Sequence, residues 1–333
     1  MTDLFKLQHF VGCDVSKNTL DFALYERGKY YRQFRHLQVP NNTEGFQAMR
    51  KWLRSFGVNL KNGVIAMEHT GSYSASLSEW CFKKKLPFVL LHPLDVKNAS
   101  ARGRNKTDKE DACFIADYVY TMREKLQTST PEPAVIVKLR QLRNERNLAV
   151  KSRTSYINQI GSVTDKGTRD RMQKIVDGLT SQIKEIERAI TITVDSDESI
   201  ARNYQYLLSI PGIGMQNAVA TIMATWNFTR FQTSRQYAKF CCISPLSKQS
   251  GTSVRNGDHV IKSGHNELKA LLTDGARSAI QHDANLKTYY ERKRAEGKSH
   301  GCVMNAVKFK LICRMFAVIK RQSPYVNTDR YRS

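Results

Sequence analysis

The sequence predicts an α/β domain with a mixed sheet, followed by an all-α part made of a long helical hairpin and a further helical domain. Three observations carry that expectation. Over the first 125 residues or so, short apolar runs alternate with segments of helical period. From Pro131 onward, apolar residues recur at steps of three and four. A hydrophobic content of 41% in 333 residues is enough to fill the cores of two or three domains.

The elements follow in order. Phe10 to Val15 is a short apolar run that delivers Asp14 at its end, and Leu20 to Tyr25 and Tyr30 to Val39 lean to strand with Gly28 between them. Thr43 is the expected cap of a helix running through Phe46, Met49, Trp52 and Leu53, which Gly57 ends. Gly63 to Met67 reads as a buried strand, Ser74 to Lys84 as a helix, Pro87 to Leu91 as a strand and Asp108 to Met122 as a helix. Three strands, then helix, strand, helix, strand, helix is the order of a ribonuclease-H-like domain, placed at residues 1–128.

The second part starts with two amphipathic helices, placed at 131–200. Leu139, Leu142, Arg146, Ala149, Arg153, Tyr156 and Ile160 form one seam. After a break at Thr164 to Gly167, Met172, Ile175, Leu179, Ile183, Ile186 and Ile190 form the other. Such a pair predicts a helical hairpin or an oligomerising coiled coil. Arg146 and Arg153 interrupt the first seam and are expected to face RNA or carboxylates. The last domain, 204–325, is mostly helical, and its stretch from Ser244 to Asn266 is too polar and too punctuated to be core.

Charge narrows the choice of partner. Fifty-three Lys and Arg stand against 30 Asp and Glu, a net of +23. A surface so positive attracts polyanions, and each cation placed on a phosphate releases counterions from nucleic acid. An anionic membrane would attract it too, but the longest apolar runs, such as Phe88 to Leu91, are far too short to span one. The first residues lack the plan of a signal peptide, so a cytoplasmic, nucleoid-associated location is expected. Seven cysteines without a Cys-x-x-Cys pair argue against a zinc site or a disulfide framework and read as buried thiols.

Several residues stand where chemistry is expected. Asp14 and Glu68 each close an apolar strand, where an unpaired charge is costly unless it is held by a partner or a metal. The plainer reading is a strand-end carboxylate bonding a turn. Asp108 and Asp111 lie three apart on one helix face, where like charges repel unless a cation sits between them. They follow Ala101-Arg102-Gly-Arg104-Asn-Lys106-Thr107, a basic lead-in suited to phosphate. Four such carboxylates offer only hard oxygens, which suits Mg²⁺, with Mn²⁺ as a substitute. In Leu207-Leu-Ser-Ile-Pro211-Gly212-Ile-Gly214, the Pro-Gly-Ile-Gly turn of a helix-hairpin-helix would present backbone N–H groups to phosphate. An ordinary helical turn is the alternative. Ser250 precedes Gly251 in a polar loop, with Arg255 and Lys262 near enough in sequence to offset charge in a phosphoryl transition state. Ser247 and Ser253 lie close by, so spacing alone does not single out Ser250.

Taken together, these motifs resemble the DEDD transposases of the insertion-sequence 110 family, relatives of the Piv-type DNA invertases. The resemblance runs from Gly12-Cys-Asp14-Val-Ser-Lys17 through Met67-Glu68-His-Thr-Gly71 and Lys106-Thr-Asp108-Lys-Glu-Asp111 to Ile261-Lys262-Ser-Gly264-His-Asn266-Glu-Leu268-Lys269 and the basic tail. It departs from the family at Cys242-Ile243-Ser244-Pro245, where Gly-Leu is usual before the proline, and at Lys269, where Arg is commoner. The resemblance implies a RuvC-like domain whose metal ligands are Asp14, Glu68, Asp108 and Asp111. It implies that Ser250 is the nucleophile that links covalently to DNA. It also implies action as a homo-oligomer, a dimer or tetramer, on donor and target DNA under the direction of a noncoding bridge RNA. The expected function is therefore an insertion-sequence transposase working through a phosphoserine with Mg²⁺. The alternatives are a RuvC-like Holliday-junction nuclease that uses water and leaves Ser250 structural, and a nucleic-acid-binding protein with a degenerate nuclease fold.

Overall fold

The computed structural model describes residues 4–30, 33–59, 61–69, 72–91, 96, 107–243, 246–250, 254–259 and 266–327. The chain divides into two compact units, Met1–Glu132 and Pro133–Ser333.

The first unit is built on a five-stranded sheet. Its strands are β1 (His9–Val15), β2 (Thr19–Leu24), β3 (Arg35–Pro40), β4 (Gly63–Glu68) and β5 (Phe88–Leu91), and their spatial order is β3-β2-β1-β4-β5. β1 pairs antiparallel with β2, and β2 with β3. β4 runs parallel to both β1 and β5. The sheet is thus mixed, as expected. Alternation along β1 sorts its side chains. Val11, Cys13 and Val15 join Phe22, Ile65 and Met67 in a core that also takes in Phe46, Met49 and Leu77 from α1 (Thr43–Ser55) and α2 (Ser72–Lys83). Phe10, Val64, Ala66 and Val89 face the other way and pack with Ile115 and Val119 of α3 (Asp108–Thr121).

Two local expectations need correction. The cap of α1 is Asn42, whose side chain accepts from the Gly45 N–H at 2.9 Å; Thr43 is already helical. β3 starts at Arg35, the partner of Leu24, and Tyr30 stands 82% exposed outside the strand.

The second unit opens with α4 (Ala134–Ile160) and α5 (Lys166–Asp195), the expected hairpin. The helix restarts earlier than the Thr164 to Gly167 break predicts, because the Asp165 side chain accepts from the Thr168 N–H at 2.6 Å and draws Gly167 into the first turn. Ile136 and Leu139 pack with Ile186, Ile190 and Val194 at the base of the hairpin, where they join the helical core. Arg146 meets a carboxylate, with its Nε 2.7 Å from Glu187 on the facing helix. That core continues through α6 (Glu198–Leu208), α7 (Met215–Thr225), α8 (Ser234–Phe240), α9 (Asn266–His282), α10 (Ala284–Ala295) and α11 (His300–Arg321).

Within the stretch expected to be irregular lie two antiparallel strands, β6 (Leu246–Ser250) and β7 (Val254–His259). Their side chains lack apolar alternation, so only the backbone ladder marks them as strands. Of the seven cysteines expected to be buried, Cys302 is exposed and Cys242 and Cys313 are only half-buried. Among the described residues no helix is long and apolar enough to cross a membrane.

Candidate active site

The first unit gathers the expected carboxylates at one end of its sheet. Cys13 and Met67 are partners in the parallel β1–β4 register, so Asp14 and Glu68 hold the corresponding positions one residue further on. Both follow the Gly12 and Ala66 side of the pleat, which is the face covered by α3. The helix reaches that face at very short range. A Cβ added to Gly12 would lie 2.1 Å from the Ala112 carbonyl oxygen and 2.3 Å from the Ala116 nitrogen. Since Asp108 is one turn before Ala112, this close approach brings the first turn of α3 to the end of β1. Thr107 caps the helix, its hydroxyl accepting from the Glu110 N–H at 3.2 Å. Asp108, Glu110 and Asp111 all lie in the first turn, where the helix dipole favours negative charge.

Asp14 registers this crowding. Its carboxyl is pushed up to about 7, first by burial and then by the charges of Asp108, Asp111, Asp21 and Glu68. Glu68, Asp108 and Asp111 are therefore within electrostatic reach of Asp14. Among the described residues no group of three or more His, Cys, Asp or Glu side chains stands ready to hold a metal ion. The donor set still fits a hard divalent cation, because every candidate ligand is a carboxylate oxygen and a cation would offset the charge that raises Asp14.

Asp21 belongs to this site and is absent from the sequence reading. It is the register partner of Asp14 on β2 and only 2% exposed. His36 Nε2 lies 2.7 Å from its Oδ1, and Gln38 Nε2 donates to both oxygens at 3.2 and 3.1 Å. The signal was present in Leu20-Asp21-Phe22-Ala23, a charge inside an apolar strand that a hairpin register would set beside Asp14. Gly12 was legible in the same way, as a strand glycine marking a close backbone approach.

The other expected residues fall in several places. Gly212 and Gly214 lie in the turn between α6 and α7. Gly212 has φ +90°, and a Cβ there would come 2.4 Å from the Gly275 carbonyl oxygen, so helix packing already demands glycine. Gly214 caps α7, and nothing lies within 4 Å of where its Cβ would be. Ser250 is the last residue of β6 and pairs with Val254; Arg255, in β7, pairs with Gln249. Arg102, Arg104, Lys106 and Lys262 lie outside the described residues.

Two family models match the chain. One, for the DEDD transposase domain of IS110 elements and described as "Transposase", matches residues 11–168 and so includes Asp14, Glu68, Asp108 and Asp111. The other, described as "Transposase IS116/IS110/IS902 family", matches residues 204–291 and includes Ser250. The chain belongs to the IS110 family of transposases. Its similarity to curated relatives extends over nearly its full length. This transposase is 24% identical to the pilin gene-inverting protein of Moraxella bovis over 95% of its own chain and 97% of that protein. It is 26% identical to the transposase for insertion sequence element IS1111A of Coxiella burnetii over 95% of its chain and 90% of the relative. The IS110-family transposase is accordingly a DNA-recombining enzyme, and DNA is its substrate.

Proposed function

We propose that this transposase cuts and rejoins DNA through a covalent phosphoserine on Ser250, assisted by a divalent metal, Mg²⁺ or Mn²⁺ in its place, held by Asp14, Glu68, Asp108 and Asp111. The observation that carries the reading is Asp14, whose carboxyl is raised to about 7 by burial first and then by the charges of Asp108, Asp111, Asp21 and Glu68. A bound metal would supply charge stabilisation to a phosphoryl oxygen. The Ser250 hydroxyl attacks the phosphorus and gives its proton to a base. The P–O bond to the leaving strand breaks, and that strand's oxygen takes up a proton. A hydroxyl of a second strand then attacks the phosphoserine and releases Ser250. One phosphodiester is made for each one broken, so no nucleotide hydrolysis is needed. The sequence indeed carries no Gly-x-x-x-x-Gly-Lys-Ser/Thr loop.

Arg255 and Lys262 offset the charge of the transition state. Arg102, Arg104 and Lys106 hold backbone phosphates next to the carboxylates, and the Gly212–Gly214 turn offers backbone N–H groups. A noncoding bridge RNA selects donor and target by pairing, and the net charge of +23 is suited to carrying RNA and DNA together. The enzyme acts as a dimer or tetramer joined through the α4–α5 hairpin, in support of which Leu148, Ile157 and Ile175 expose 68%, 49% and 42% of their surface.

The test is a search for DNA attached to protein on a denaturing gel, using purified enzyme, its element's noncoding RNA, both DNAs and Mg²⁺. An adduct that requires Mg²⁺ and disappears in Ser250→Ala and Asp14→Ala is the expected result. Cleavage without an adduct, persisting in Ser250→Ala, would replace this mechanism with hydrolysis by a RuvC-like nuclease.

A further inference from the structure

Lys308 is a cation in an unusual place. It lies on α11, is 4% exposed, and donates from Nζ to the Thr273 hydroxyl at 3.2 Å. That hydroxyl spends its own proton on the Lys269 carbonyl oxygen at 2.7 Å. An ammonium has three N–H groups to satisfy, and one neutral acceptor leaves its charge uncompensated. The proton affinity of Lys308 is lowered, by burial first and then by the like charge of Lys269 on α9. Glu267, the acid closest to Lys269 in sequence, is engaged elsewhere, 2.8 Å from Arg143 and 2.6 Å from Asn147. Among the described residues neither lysine has a carboxylate partner.

Two like charges that act on one another across α9 and α11 are unfavourable in the absence of an anion and favourable around one. An oxyanion would accept the remaining Lys308 protons, separate the two ammonium groups electrostatically and reward the burial. The chain acts on DNA and carries a net charge of +23, so the oxyanion it meets most often is a phosphodiester. We propose that Lys308, braced by Thr273, and Lys269 form a backbone-phosphate site for nucleic acid in the second unit. This site depends on neither the serine nor the metal of the reaction above.

The full-length protein, kept in EDTA so that no strand is cut, is titrated with a labelled short DNA duplex and separately with an RNA duplex over a range of salt. A thermal-shift arm uses inorganic phosphate alone. K308M is expected to lower the slope of log affinity against log salt by about one contact, with K308R restoring it. Phosphate is expected to raise Tm of the unsubstituted protein more than that of K308M. A slope that falls for DNA only, RNA only or both supports the site and identifies which backbone occupies it. An unchanged slope for both in K308M overturns it, whatever phosphate does to Tm. Should K308M fail to fold, K269Q decides: a lowered slope supports the proposal and an unaltered one overturns it.

Discussion

Asp14 shows how a candidate metal ligand can work against its own fold. Its carboxyl is raised to about 7, well above the ordinary aspartate value of 3.8. The folded protein therefore holds a proton that the unfolded chain has released between about pH 4 and 7. By linkage, the contribution of this group to stability falls as pH rises through that window, and the full penalty is present above about pH 7. In the metal-free enzyme, Asp14→Asn should raise stability by on the order of 2 kcal/mol above pH 7, with the gain vanishing near pH 4. Thermal melts of the two proteins at several pH values would check it, and equal melting at every pH would refute it. The neighbouring Asp21 is buried as well, with its oxygens met by His36 and Gln38. Its partner His36, replaced by alanine, should cost about 1–3 kcal/mol in urea unfolding, because a buried acceptor loses its closest donor.

At the scale of elements, the contact of α3 with β1 and the reach of the α4–α5 hairpin carry separate expectations. Gly12→Ala would set a Cβ against the Ala112 carbonyl and the Ala116 nitrogen. Backbone on both sides leaves nothing flexible to yield, so α3 must lift. A loss of roughly 1–3 kcal/mol is expected, accompanied by a loss of DNA cleavage. Unimpaired cleavage in a destabilised protein would show that α3 is not needed to place Asp108 and Asp111. On the hairpin, Leu148→Lys and Ile157→Lys remove exposed apolar surface without touching the seam. Light scattering should then report a smaller assembly than the unsubstituted enzyme forms. The elements themselves were largely legible, because β1, β4 and the two hairpin helices carry strong periodicity. The β6–β7 ribbon was not, since Leu246 to Ser250 and Val254 to His259 carry no apolar alternation in the sequence. The cap of α1 was missed by one residue, because Asn42 and Thr43 are both competent caps and local geometry chooses between them.

For the whole molecule, the sequence held the inventory of the site more fully than its geometry. Asp14, Glu68, Asp108 and Asp111 were recognisable from strand ends, helix spacing and family resemblance. Asp21 is signalled only as a charge inside an apolar strand and Lys308 not at all, since each acquires its meaning when register or helix packing gives it neighbours. The two compact units each have their own core, so a fragment of residues 1–132 is expected to fold alone, with a cooperative melt of its own by circular dichroism. A non-cooperative melt would show that the division is geometric and not energetic.

That division has a genetic consequence. All four carboxylates lie before residue 132 and Ser250 lies after it, so under the proposed chemistry the lesions Asp14→Ala and Ser250→Ala fall in different units. Two disabled copies, one of each kind, still hold a full set of working parts between them. Whether a cell carrying both recovers transposition depends on which copy's parts the reaction draws upon. A mixed population can therefore behave differently from either mutant, and truncated copies of the element that keep one unit can act as helpers or as poisons of the intact one.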